Sequence, residues 1–491
     1  MKNIPKTIVV TAILLVTIFA GCKEKKIAPK IEVSDAISRF IWNGLNEYYL
    51  WYNDVDKLSS DYFDDTDAWY KYLNTFGTNY DNLFYDLLYQ YGTVDKWSWV
   101  VDDYVALENS FAGISKTMGH DFRLIRFSDS DYIFGYVRYV VPGSPADNAG
   151  IVRGDLFRSV DGNLLDINNY YNLLFEQDEY TLGMASYDPE LNSITLNSTT
   201  YDLIAVELQE NPIYYSQTMV IDGKKTAYLV YNSFTSDFDF ELNDLFASYS
   251  SEGVERLILD LRYNGGGSIQ TAIYLASMIY STNTNSVFST VNYNDKIQDY
   301  LLSTYGSDYF NYYFADVLNE TTENAEAPLV SLGLTDLFVI TTERTASASE
   351  LVINGLEPYI DVTLIGERTT GKYVGSITVK DWNSQGVVNP SHTWAMQPII
   401  LKIANSQGVS DYVSGLIPDV EVEEDIVNLL PFGDENEVML KAVIDYITGA
   451  PAAKSYRPFT KGVNYDIIVD SKDVANPYNK EMYLSKPLIL K

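Results

Sequence analysis

The sequence predicts a multidomain α+β protein in three successive parts: helical, then β-rich, then α/β. Three observations carry that prediction. Apolar residues recur at three-to-four spacing early in the chain, short strands punctuated by Gly and Pro turns follow, and strands alternate with helices from about Asn211. The length of 491 residues agrees, since domains average about 150 residues. With 46% hydrophobic and 21% charged residues, the composition argues against a mostly disordered chain.

The N-terminus reads as a targeting segment. Lys2 and Lys6 precede an apolar run, Ile8 to Ala20, too short for a span of about 20 residues. The run ends in Phe19-Ala20-Gly21-Cys22, which resembles the lipobox of bacterial lipoproteins with Phe in place of the usual Leu. Residues 1–21 are therefore expected to be a signal peptide, Cys22 the acylated anchor and 22–30 a polar tether. Several acyl chains hold a membrane where one does not. The alternative is an ordinary cleaved signal with a chance cysteine. The lipoprotein reading implies an extracytoplasmic protein.

Residues 31–105 read as a small helical domain. Ser34 suits an N-cap, and Ile37, Phe40, Ile41, Leu45 and Tyr48 keep helical spacing. The aromatic text around Trp69, Tyr70, Tyr72 and Leu73 is expected to be core and not a ligand box. Residues 106–210 change to strands and turns. Ser144-Pro145-Ala146 should cap a short helix, Ala149-Gly150 end it, Gly154-Asp155 turn into a strand and Asp161-Gly162 close a hairpin. This run resembles the PDZ domains of bacterial processing proteases. A PDZ domain takes an extended peptide as an added strand and holds its C-terminal carboxylate in a backbone nest. The nest falls near Met118-Gly119-His120, making Gly119 and His120 the substrate-binding candidates, although these residues match poorly. A PDZ fold used only as a spacer or lid is the other reading.

Residues 211–450 read as α/β. Strands are expected at 227–230, 256–261, 337–341 and 362–365, and helices at 238–248, 268–279, from about 348 and at 437–448. The Tyr/Asn-rich stretch 285–330 reads as an insertion or a cap over the site. The tail 451–491 receives no role.

Composition narrows the function. The formal charge is −33, from 34 Lys plus Arg against 67 Asp plus Glu. Nucleic-acid binding needs a basic face, and anionic lipid attracts basic segments, so both partners are disfavoured. One Cys and two His, His120 and His392, exclude a disulfide framework, a multi-cysteine metal site and a His-rich zinc centre. No metal or organic cofactor is implied.

Three elements carry chemistry. In Arg344-Thr345-Ala346-Ser347-Ala348-Ser349-Glu350 a hydrophobic strand enters and a helix leaves. A serine there has an exposed hydroxyl beside unpaired amides at the positive end of a helix dipole. Alone, the run is also ordinary N-cap text. Gly371-Lys372 follows, with Lys372 25 residues after Ser347. With so few histidines, lysine is the natural base for a serine nucleophile. Lowering its pKa from about 10.4 to about 7 costs about 4–5 kcal/mol. Burial against Tyr373, Val374 and Ile377 could supply that; a solvated surface charge is the other reading. The third element is Asp260-Leu261-Arg262-Tyr263-Asn264-Gly265-Gly266-Gly267, a strand ending in a Gly-rich turn of bare amides. It suits half an oxyanion hole, a tight turn alone or a phosphate cradle. Gly366 to Tyr373 imitates a P-loop, but Tyr373 replaces the Mg²⁺-binding hydroxyl and the following text is a strand.

Together these elements resemble the C-terminal processing peptidases of family S41. That family carries a D-L-R-x-N-x-G-G strand-turn, S-A-S-A-S-E, G-K and a later G-I-x-P-D, here Gly415 to Asp419. The helical segment also looks like the N-terminal domain of the Bacteroidetes lipoprotein members. The resemblance implies a ClpP/crotonase-like core and a serine endopeptidase. Ser347 would be the nucleophile, Lys372 the base, and the amides of Ala348 and Gly266 the oxyanion donors. The family often has Gln four residues after the lysine. Here Ser376 stands there, and its shorter hydroxyl is expected to orient the lysine amine. His392 is expected to be structural. The expected partner is a protein or peptide substrate. The competing reading is a peptide- or hydrophobic-ligand-binding lipoprotein on the same fold, and a structural scaffold is a third.

Overall fold

A computed structural model describes residues 36–450 and 465–488, apart from 60, 128–129, 192, 322–323, 384, 477–478 and 486–487. The signal peptide, Cys22, the tether and the Ser34 cap lie outside the described residues.

The first helix, Ala36–Tyr48, buries Phe40, Ile41, Leu45 and Tyr48 on one face, as its spacing requires. Thr66–Asn74 is capped by the Asp65 carboxylate, which accepts from Ala68 N at 2.8 Å. Trp69, Tyr70 and Tyr72 pack onto a core shared with the α/β strands, as expected of core residues. The helical text does not continue to 105. Asp95 turns the chain by accepting from the amides of Trp97 and Ser98, both at 2.9 Å. Trp99–Val101 then pairs as a strand with Ala395–Gln397.

The β-rich part is a sheet whose strands His120–Phe127, Ile133–Val140, Leu156–Val160, Glu179–Asp188 and Ser193–Ile204 pair antiparallel in that order. The turn chemistry is as read. Ser144 Oγ accepts from Asp147 N, Gly150 ends the helix Pro145–Ala149 at φ +88°, and Asp161-Gly162 turns at φ +50° and +76°. Phe122, Val137, Phe157, Val160 and Leu182 form a separate core. The edge of His120–Phe127 is covered by Tyr465–Asp470, in the stretch that was assigned no role.

The α/β part has a six-stranded sheet in the order Ile213–Ile221, Lys224–Tyr231, Arg256–Asp260, Asp336–Thr341, Asp361–Gly366, Val420–Glu421, parallel after the first hairpin. Arg256–Asp260 is buried throughout, as a parallel strand covered on both faces should be. The glycine turn and the serine loop leave the carboxyl ends of two neighbouring strands, Arg256–Asp260 and Asp336–Thr341, where α/β sheets gather their sites. Residues 285–330 are not a cap over the site. Val287–Tyr293 pairs with Ile399–Asn405 in a second six-stranded sheet, and Phe288, Val291, Ile297 and Phe314 fill the main core. Apolar side chains hidden among the Tyr and Asn make this stretch structural.

The root of the glycine turn is a buried ion cluster. Arg262 bonds Asp260 at 2.7 Å, Glu437 at 2.8 Å and Glu424 at 2.9 Å. Arg153 also holds Glu424, at 2.6 Å, but the buried carboxylates of Asp260 and Glu437 are tolerable chiefly while the Arg262 guanidinium stays between them. Arg262→Ala should therefore cost about 3–5 kcal/mol, measured as a lowered denaturant midpoint. A loss below about 1 kcal/mol, the scale of an exposed pair, would contradict this reading of the cluster.

Candidate active site

Ser347 sits where the strand Asp336–Thr341 gives way, through a loop, to the helix Ala348–Leu356. Its backbone has φ +67° and ψ −115°, a conformation L-residues avoid and one that costs about 1–3 kcal/mol. Neighbouring bonds hold it there. Ala346 N and Ser349 Oγ both donate to Asn264 O at 3.1 Å, and Thr345 Oγ1 donates to Leu261 O at 2.8 Å. The serine loop is thus laced to the glycine turn. Ser347 is buried, and among the described residues its Oγ has no hydrogen-bond partner. Ala348 N begins the helix, where amides lack an intrahelical acceptor.

Glu350 joins Ser347 to the lysine. Its Oε2 accepts from Ser347 N and Lys372 N, both at 2.8 Å. Its Oε1 accepts from Gly371 N at 2.7 Å and Thr369 Oγ1 at 2.5 Å. Burial pushes its pKa up, and the four donors oppose that push. Sequence reasoning quoted Glu350 in the motif but gave it no role; the S-x-x-E capping-box spacing was the available signal. The Gly415–Asp419 motif braces the same loop. Leu416 N donates to Thr369 Oγ1 at 2.7 Å, and Asp419 Oδ2 accepts from Leu364 N at 2.9 Å.

Lys372 is buried, with Nζ donating to Lys480 O at 2.7 Å and standing 3.6 Å from Glu481 Oε2. Burial lowers its pKa, and the Glu481 charge opposes the shift. Val374 and Ile377 are buried beside it in sequence, but the ring that Nζ faces is Trp97, at 5.4 Å. Ser376 does not reach the lysine. Its Oγ donates to Met482 O at 3.2 Å, lies 3.5 Å from Glu481 Oε2 and accepts from Gln397 Nε2 at 3.0 Å. A strand advances about 3.3 Å per residue, so four residues carry position 376 beyond a hydroxyl's reach. The group between the two is the Glu481 carboxylate, which also accepts from Trp99 Nε1 at 3.0 Å. Trp97, Trp99, Gln397, Lys480 and Glu481 were not foreseen, because only the tertiary fold brings them to the lysine.

The glycine turn lies against the serine. A Cβ on Gly266 would stand 2.7 Å from Ser347 Cβ and 2.9 Å from Ala348 N. The Gly266 amide, however, donates to Asn264 Oδ1 at 2.8 Å. The Gly267 amide instead donates to Glu481 O at 2.5 Å.

Gly119 and His120 line a cavity of about 470 Å³ that also reaches Gly266, Arg344 and Glu481. Their groups do not form an open nest. Gly119 N donates to Thr117 Oγ1 at 3.0 Å and Gly119 O accepts from Val141 N at 2.7 Å. The His120 ring stacks on Phe122, and burial pushes its pKa down to about 4, keeping it neutral. Packing requires glycine at this position: a Cβ on Gly119 would fall 2.0 Å from Ser144 Cβ. His392 pairs with Asp381 at 3.1 Å, away from the site, as expected of a structural histidine.

Three family models match the chain: the peptidase S41 N-terminal domain over residues 36–99, the PDZ domain over 136–178 and peptidase family S41 over 225–422. The chain is 24% identical over 313 residues to a carboxyl-terminal-processing protease of Picosynechococcus, covering 63% of this chain and 65% of that protein. It is also 24% identical over 298 residues to a chloroplastic C-terminal processing peptidase of Tetradesmus obliquus, covering 58% and 56%. The matches span less than two thirds of these relatives. Among solved structures, a protein assigned to the S41 proteases from Bacteroides fragilis is similar at a TM-score of 0.64 and 25% identity, covering 84% of this chain and 97% of that one.

The lysine environment makes a prediction. Glu481→Gln removes the charge that holds the Lys372 pKa up while leaving the burial that pushes it down. The Lys372 pKa should therefore fall further below the ordinary lysine value, and the amine should become neutral at lower pH. A ¹³C NMR titration of the lysine side chains would follow this, and a shift upward, or none, would contradict it.

Proposed function

Because the chain is an S41 peptidase family member carrying a PDZ domain, we propose that it is a serine endopeptidase of extracytoplasmic proteins with Ser347 as nucleophile and Lys372 as general base. The observation that carries the reading is one buried carboxylate, Glu350, holding the amides of a strained serine and a buried lysine together. Neutral Lys372 takes the Ser347 proton as Oγ attacks the peptide carbonyl. The oxyanion forms against Ala348 N and a glycine-turn amide. The Gly266 amide would have to leave Asn264 for that task, whereas the Gly267 amide would be released with Glu481 O. The Lys372 ammonium then protonates the leaving amine, and water hydrolyses the acyl-enzyme.

The proposal extends to organisation. Residues 31–105 form the N-terminal domain, helical before the strand Trp99–Val101, 106–210 the PDZ domain and 211–450 a ClpP/crotonase-like core. Residues 1–21 are a signal peptide and 22–30 a tether from a lipid anchor at Cys22, as in Bacteroidetes-type lipoproteins. The PDZ domain selects an extended segment near a substrate's C-terminus, in keeping with the carboxyl-terminal-processing names of the relatives. Ser376 does not touch the lysine, and this proposal gives it no step; its Oγ is held by Met482 O and Glu481.

One observation favours a peptide-binding protein instead. Lys372 Nζ is engaged by Lys480 O and Glu481, and the usual Gln is replaced by Ser376. The chain from Lys23 as wild type, Ser347→Ala and Lys372→Ala, incubated with an unfolded protein and C-terminal peptides, separates the two by mass spectrometry. The peptidase reading expects cleavage by wild type and a loss of about a thousandfold or more in each variant. Equal peptide binding with no cleavage by any of the three would support the binding protein.

A further inference from the structure

Residues 465–476 and 479–484 run across both surfaces that a peptide substrate would need. Tyr465–Asp470 adds antiparallel to the edge strand of the PDZ sheet, with Ile467 opposite Ile125 and Asp470 opposite Arg123. This is the strand-addition geometry by which an extended peptide is bound. Ile468 and Val469 pack onto that domain's core. Asp470, buried at the end of the added strand, is met by three arginines: Arg123 at 2.5 Å, Arg344 at 2.9 Å and Arg138 at 3.1 Å. A carboxylate is therefore the group this position is built to take.

The segment then turns through the helix Ser471–Ala475 and enters the catalytic cleft. There the glycine turn is its bed. A Cβ on Gly265 would stand 1.9 Å from Asn479 O and one on Gly266 2.2 Å from Glu481 O. Met482–Leu484 pairs parallel with Gly267–Ser268 on one side and Val374–Ile377 on the other. Tyr483 stacks on Phe111 at 4.2 Å. In this position Lys480 O takes the Lys372 amine and Glu481 O takes the Gly267 amide, while the Ser347 hydroxyl has no partner among the described residues.

We infer that residues 465–476 and 479–484 are a self-ligand: they lie along the path from the PDZ edge to Ser347, and the protein's partner is an extended peptide that displaces them by adding to the same edge and placing a carboxylate among Arg123, Arg138 and Arg344. The inference rests on the peptidase reading for its consequence, which is that Lys372 cannot serve Ser347 until the segment leaves. Its physical core, a displaceable occupant of the groove, is testable without catalysis.

The test uses the whole chain with Cys22→Ser, which removes the one cysteine. Asp470→Ala should release the segment, and a second variant should lock it. Arg126 and Asp466 already touch at 2.6 Å and face each other in register, so Arg126→Cys with Asp466→Cys can be joined by oxidation. Binding of a fluorescent peptide copying residues 465–485 is read by anisotropy. It should be at least tenfold tighter to the Asp470→Ala chain than to the parent, and at least tenfold weaker to the locked chain oxidised than reduced. Ser347 labelling by a fluorophosphonate should follow the same order. Equal peptide binding by parent and Asp470→Ala chains, with oxidation making no difference, would overturn the inference. Peptide binding in the expected order with no labelling or cleavage in any chain would uphold the self-ligand and defeat the peptidase reading instead.

Discussion

The Glu350 carboxylate is the interaction on which the rest of the site depends. Two of its hydrogen bonds hold the amides of Ser347 and Lys372, the proposed nucleophile and base, and the other two hold Gly371 and Thr369. Hydrogen bonds to a charged acceptor are worth about 1.5–3 kcal/mol each. Four of them are comparable to the several kcal/mol that burying a carboxylate costs after relaxation. The site can therefore carry this buried acid, and the acid in turn holds two loops from opposite ends of Asp361–Gly366 and Ala348–Leu356 in register. The same bonds help offset the unfavourable backbone of Ser347.

The second constraint is close approach. The glycine turn has no side chains to separate it from the serine loop, so backbone from two strands, one helix and a distant segment meets around Ser347. Burial of Lys372 follows from that crowding. Trp97 and Trp99 arrive from the helical part, which explains why that part shares a core with the α/β sheets. The helical part therefore contributes a wall of the lysine's pocket, and its packing bears on the lysine's charge.

Much of this was legible in sequence because it is local. The cap at Ser144, the hairpin at Asp161-Gly162, the buried strand Arg256–Asp260 and the serine at a strand-to-helix junction are each written in a few consecutive residues. What failed was non-local or depended on reach. Residues 285–330 read as an insertion or a cap because their Tyr and Asn hide the buried Phe288 on one face of the strand and Val291 on the other. Ser376 was given the lysine because the strand period places it on the right side, without regard to the distance along the strand. Glu481 has no local signature, and its role exists only because the segment around it returns to the cleft more than 100 residues after Lys372.

One buried charge thus holds both Ser347 and Lys372, the proposed nucleophile and base. The most direct measurement compares the rate of Ser347 labelling by a fluorophosphonate in wild type and Glu350→Gln, with thermal melts of both. Gln keeps the shape but loses the charge and one acceptor. The account predicts at least a tenfold slower labelling in a chain that still melts cooperatively. Unchanged labelling with an unchanged melt would contradict it.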